Sequence, residues 1–156
     1  MIDNQEIEEL ELQLLAAGMS INEMVRYYSM FLLELIKEGK LKIISDEKLD
    51  EMASYLSRAL DLGAQEFDEE LRKSSIVKLW KLEKEYREVD PAFSALTRCV
   101  ICCFGNEDDW GRDNAGEETP LWFYLFYLKK ACQNIKSKFI EYFRRAGRSL
   151  AEKNEQ

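Results

Sequence analysis

The stretch Met19–Gly39, "MSINEMVRYYSMFLLELIKEG", constrains the fold more than any other part of the chain. Ser20 and Glu23 make the S-x-x-E pattern of a capping box, and Met19 and Met24 stand where a hydrophobic staple would close over it. Met24, Tyr27, Tyr28, Phe31, Leu32 and Leu35 then recur at helical spacing, and Gly39 supplies the stop. A start signal, an apolar stripe and a terminating glycine in this order specify an amphipathic helix.

The same grammar recurs along the chain. A first helix runs from about Asp3 to Ala17, with Gly18 as its terminator and Glu6, Glu8, Glu9 and Glu11 on an acidic face. Lys40–Ile44 is a connection. Ser45 or Asp46 caps a third helix that turns Leu49, Met52, Ala53, Leu56 and Leu60 inward and ends at Gly63. A fourth helical region covers about Gln65 to Val89, with a break predicted at Ser74–Ser75 and a stripe of Ile76, Leu79, Trp80, Leu82, Tyr86 and Val89. Asp90–Pro91 is an N-cap followed by proline at N1, where the missing N–H costs nothing. That fifth helix reaches Phe104 and Gly105. Thr119–Pro120 repeats the start signal for a sixth and longest helix, Pro120 to about Arg148. Its first turns are apolar all round, which places it at the centre of the bundle; its later stripe is Cys132, Ile135, Phe139, Tyr142 and Phe143. With two prolines, seven glycines and no internal repeat there is little linker material. The expectation is therefore one all-α domain over residues 1–156, a bundle of about six helices.

The chemistry is bounded by an absence: there is no histidine. The commonest general base, the Ser-His and Cys-His nucleophile pairs and the Glu-x-x-His of di-iron bundles are all excluded. No catalytic residue and no cofactor are expected. Cys99-Val-Ile-Cys102-Cys103 contains a C-x-x-C that, with Cys132, raises the question of a redox pair or zinc site. A redox pair sits at an exposed helix N-terminus, whereas these thiols lie mid-helix among Val100, Ile101 and Phe104, so they read as core residues without metal. The chain has no basic leader or run of membrane-spanning length, so it reads as cytoplasmic, with its thiols reduced.

Charge is distributed unevenly. The net charge is −8 and the pI about 4.8, which disfavours direct nucleic-acid or anionic-membrane binding and favours a basic protein partner. Met1–Glu23 carries six acids and no base, Gly105–Glu118 six acids and Arg112, and Lys129–Arg148 seven bases and Glu141. The basic end of the last helix is positioned to pair with the acidic first helix. In "GNEDDWGRDNAGEE", an EF-hand register with Gly111 as the glycine puts Trp110 where an oxygen ligand is required, so calcium is not expected. A solvated connection and a docking surface remain. Fourteen residues is long for a connection in a helical domain, and a tryptophan among acids suits an interface anchor. The candidate partner-binding residues are thus Glu107, Asp108, Asp109, Trp110, Asp113, Glu117 and Glu118, with the first helix around Glu8 and Glu11 as the other acidic surface. The aromatic stripes Tyr27, Tyr28, Phe31 and Trp122–Tyr127 read as core.

In length, acidic "DNQEIEELE" start, helical pattern, lack of histidine and the acidic "GNEDDWGRDNAGEE" segment, the chain resembles the small immunity proteins of bacterial toxin systems, in particular those of contact-dependent growth inhibition. The resemblance implies a partner that is a toxin domain, often an RNase or DNase, and neutralisation by carboxylates occupying the site that nucleic-acid phosphates would take. The alternative class is a non-enzymatic helical adaptor or structural interaction module.

Overall fold

The computed structural model describes residues 4–64, 68–105 and 120–154, and the described residues contain seven α-helices and no strand. The helices are α1 (Asn4–Ala16), α2 (Ile21–Lys37), α3 (Asp46–Ala64), α4 (Glu69–Tyr86), α5 (Pro91–Cys102), α6 (Leu121–Ala131) and α7 (Lys136–Asn154).

Local punctuation follows the sequence signals except at α6, where Pro120 is itself the N-cap instead of N1 and no side chain caps the helix. Gly18 takes φ 82° and closes α1 with a Schellman pair, Met19 N–H to Leu14 O and Gly18 N–H to Leu15 O, both 3.0 Å. The capping box of α2 is formed on both sides: Glu23 N–H donates to Ser20 Oγ at 3.1 Å and Ser20 N–H to Glu23 Oε1 at 3.0 Å. Gly39, at φ 71°, ends α2 in the same way as Gly18 ends α1. Asp68 and Asp90 cap α4 and α5 by accepting from Leu71 N–H and Phe93 N–H. The break predicted at Ser74–Ser75 does not occur, because both hydroxyls are satisfied in place. Ser74 Oγ donates back to Leu71 O at 3.1 Å, and Ser75 Oγ accepts from Arg58 Nη1 at 3.3 Å. Val89, counted in the α4 stripe, lies beyond the end of that helix and is 79% exposed.

The predicted long C-terminal helix is two helices. Cys132 is extended, at φ −149° and ψ 97°, and the chain turns through exposed Gln133 and Asn134 before α7 begins. A single helix over 120–148 would be about 44 Å long, more than a small domain's diameter. Folding it in two lets α6 pack on α5 while α7 packs on α1 and α2. The centre also moves. α5, not the last helix, is enclosed by α3, α4 and α6, and residues Phe93–Thr97 are buried without a gap. Trp122, Phe123, Phe126 and Tyr127 of α6 are half-buried.

The core joins α2, α6 and α7 through aromatic rings. Tyr28 stacks on Tyr124 with centroids 4.2 Å apart and planes 3° from parallel, and its hydroxyl donates to Tyr124 O at 2.9 Å. Phe139 meets Tyr28 and Phe31 edge-on at 6.3 and 6.0 Å. α1 is fixed on α7 by buried Ile7, Leu10 and Leu14, each contributing about 1.5–3 kcal/mol on burial. The approach is close enough that a Cβ on Gly147 would lie 2.8 Å from Leu14 Cδ2.

Candidate binding surfaces

Glu107, Asp108, Asp109, Trp110, Asp113, Glu117 and Glu118 lie outside the described residues. The chain leading into them is held firmly. Phe104 is buried, and its carbonyl accepts from Arg72 Nη1 at 2.8 Å, while Arg72 Nε and Nη2 hold both oxygens of Glu69 at 3.0 and 2.8 Å. Leu121, on the far side, is fully buried.

The acidic first helix is described. With Ile7, Leu10 and Leu14 turned inward, helical spacing carries Glu8, Glu9, Leu12 and Leu15 outward. Leu12 is 62% and Leu15 43% exposed. Glu8 and Glu9 are exposed and have no ion-pair partner among the described residues. Glu6 pairs with Lys136 Nζ at 3.1 Å. The outer face of α1 therefore combines uncompensated carboxylates with two exposed leucines. Beside it, α1 and α7 leave a cleft of about 430 Å³ walled by Ala16, Ala17 and Gly147 and flanked by Arg144 and Arg148; Arg144 Nε is buried there without a hydrogen-bond partner.

A second cleft, about 230 Å³, opens where α4, α5 and α6 meet, and sequence reasoning did not anticipate it. It is lined by Glu83 of α4 and its C-cap Arg87, Ser94 and Arg98 of α5, and Tyr127 and Lys130 of α6. Glu83 is 3% exposed, the one buried carboxylate among the described residues. Arg87 grips it with both arms of the guanidinium, Nε to Oε1 at 3.0 Å and Nη2 to Oε2 at 2.6 Å. Those bonds hold the Glu83 carboxyl below its ordinary range, against the opposing effect of burial. Ser94 Oγ donates to Glu83 O at 3.0 Å and lies 3.3 Å from Oε1. A carboxylate with lowered proton affinity is a weak base for that hydroxyl, so the arrangement is suited to binding more than to nucleophilic chemistry. Arg98 is the signal that was present in the sequence: it is the sole charged residue between Asp90 and Glu107.

Cys99 and Cys103 lie in the core as their apolar setting implied, but the run is not mid-helix: Cys102 ends α5, Cys103 is its C-cap and Cys132 follows α6. All four are free thiols; Cys99 and Cys103 are buried, Cys102 and Cys132 half-buried. Burial pushes the Cys102 thiol up to about 11 and those of Cys99 and Cys103 well above the usual range, the reverse of a reactive thiolate. Among the described residues no three of Cys, Asp and Glu come together as a metal site, and no helix is long and apolar enough to cross a membrane. Comparison with protein-family models, with curated proteins and with solved structures finds no match to this chain.

Proposed function

We propose that this chain is a binding protein of the toxin-immunity kind, which neutralises a basic nuclease-type toxin by laying an acidic surface over its active site. The observation that carries the reading is the outward face of α1, where Glu8 and Glu9 have no ion pair among the described residues and stand beside exposed Leu12 and Leu15. Carboxylates without internal partners attract a basic surface at long range, and exposed apolar side chains supply contact area once water is expelled. Glu107, Asp108, Asp109, Trp110, Asp113, Glu117 and Glu118 carry the same acidic character in sequence and are the other candidate contact surface, tested separately. The chain's net charge of −8 suits such a partner.

The test first reads the neighbouring coding sequence for a basic toxin-type nuclease domain and, with that domain in hand, mixes it with this chain; absence of such a neighbour would favour the adaptor class. The reading expects a stoichiometric complex and loss of nuclease activity. Glu8→Lys with Glu9→Lys, and separately Asp108→Lys with Asp109→Lys, should slow association, most at low salt, where the Debye length reaches about 30 Å at 0.01 M. Leu12→Ala should raise the off-rate. A complex that leaves the nuclease active would instead support a helical adaptor. Unchanged association in both charge-reversed proteins would overturn the acidic-surface mechanism.

A further inference from the structure

The α4–α5–α6 cleft is positive on an acidic protein. Three cations and one carboxylate line it, and the carboxylate is already matched, because Arg87 occupies both Glu83 oxygens. Arg98 is then in surplus. Its Nη1 lies 3.8 Å from Glu83 Oε1, beyond hydrogen-bond distance, and its guanidinium N–H groups have no acceptor among the described residues. Arg98 has only this long ion pair to a carboxylate it shares with Arg87, and Lys130 has none among the described residues.

Both surplus cations are held in place by rings. Arg98 Cζ lies 4.8 Å from the Trp80 ring centroid and 4.6 Å from that of Tyr127, so rings from α4 and α6 flank a guanidinium from α5. Lys130 Nζ lies 4.6 Å from the Phe126 centroid and 5.7 Å from Tyr127. Ring contacts satisfy the faces of a guanidinium and leave its in-plane donors unused. A planar fork of N–H donors that loses little entropy on binding, with a second cation beside it, is the arrangement that recognises an oxyanion. The Arg98 side chain is 33% exposed, so solvent and solutes reach it.

We propose that this cleft binds a small oxyanion of the phosphate class, held by Arg98 and Lys130, with Arg87 and Glu83 as a fixed neutral wall. The site is independent of the acidic surface of α1. The anion comes either as free phosphate or as the phosphate of an organic monoester, and the Tyr127 and Phe126 rings beside Lys130 would favour the latter.

The experiment titrates the intact protein with inorganic phosphate, and in a second arm with phenyl phosphate, at constant ionic strength set with chloride. The readout is the set of backbone N–H resonances of cleft residues kept in every variant, such as Ser94 and Tyr127. The expected result is a saturable shift with phosphate that chloride does not reproduce, and tighter binding of phenyl phosphate if the source is a monoester. Lys130→Gln should weaken binding about tenfold, the worth of one charge-assisted hydrogen bond. Arg98→Lys should weaken it at least as much, and Glu83→Gln should strengthen it by leaving the Arg87 charge uncompensated. Lys130 is exposed, so its variant tests the site even if Arg98→Lys disturbs the helix packing. Absence of a saturable shift, or equal affinity in wild type and Lys130→Gln, would overturn the proposal.

Discussion

Glu83→Gln isolates the buried ion pair of α4 with almost no change in shape. In the native protein Glu83 accepts two bonds from Arg87 and lies near Ser94 and Arg98. Hydrogen bonds to a charged group contribute about 1.5–3 kcal/mol net. Arg87 is 56% exposed, so it regains water when the carboxylate is lost, and Ser94 keeps its bond to the Glu83 backbone carbonyl. The discounted cost is about 1–2 kcal/mol, a fall in Tm of about 2–8 °C for a domain of this size. The pH dependence gives the sharper check. The folded-state pKa of Glu83 lies below its ordinary value of 4.5, so its contribution is fully present above that value and is lost as pH falls through the folded pKa. The stability gap between wild type and Glu83→Gln, measured by urea unfolding, should stay constant from neutral pH down to about pH 5 and close below it. A gap within error of zero at pH 7, or one that persists undiminished at pH 3, would refute the reasoning.

Two further outcomes follow from the core. Tyr28→Phe keeps the stack on Tyr124 but removes the 2.9 Å bond to Tyr124 O, so it should cost about 1 kcal/mol and lower Tm by about 2–4 °C; a melting curve identical to wild type would show that the hydroxyl adds nothing net. In native protein at pH 8, an aromatic disulfide reagent should find Cys132 first, half-buried Cys102 slowly because its thiol is raised, and Cys99 and Cys103 only after denaturant is added; Cys99 and Cys103 reacting as fast as free cysteine would contradict their placement.

The parts of the fold that were legible in the sequence are those fixed by neighbours in the chain. Ser20 with Glu23, Asp90 before Pro91, and the glycines at 18 and 39 act within five residues of themselves, and each does what its type dictates. The turn at 132–135 is different. Leu128, Ala131, Ile135, Phe139 and Phe143 keep helical spacing straight through it, and no glycine or proline marks it. Only the shape of the whole bundle requires the chain to turn there, and that shape is a tertiary fact. The same applies to the burial of α5, whose stripe is no more apolar than that of α6 until α3, α4 and α6 close around it. The basic cleft needs three helices that are far apart in sequence, so Arg98, alone among apolar neighbours, was its one local trace. The acidic segment chosen as the binding surface falls outside the described residues, whereas the other acidic surface, on α1, is held open to solvent.

The sequence suggested that the seven bases of Lys129–Arg148 would neutralise the acidic first helix. The geometry explains why that exchange is incomplete. α1 meets α7 through Ile7, Leu10 and Leu14 against a surface that includes Gly147, an approach too close for long charged side chains to lie between the helices. Charges are pushed to the flanks, where Lys136 reaches Glu6. Lys138 instead pairs with Glu38, the C-cap of α2, Arg145 and Arg148 turn to Glu141 on their own helix, and Lys130, ahead of the turn, sits over Phe126. The turn between α6 and α7 thus divides the basic segment and sends its two ends to different neighbours. Glu8 and Glu9 keep their charge for the outside, and Arg98 and Lys130 keep theirs for the cleft. Two fields of opposite sign then coexist on one small protein, with no ion pair joining Glu8 or Glu9 to Arg98 or Lys130 among the described residues. Reversing Glu8 and Glu9 should consequently leave phosphate affinity unchanged, while Lys130→Gln should leave association with a basic partner unchanged, and coupling between the two would show that the charges are not separated in this way.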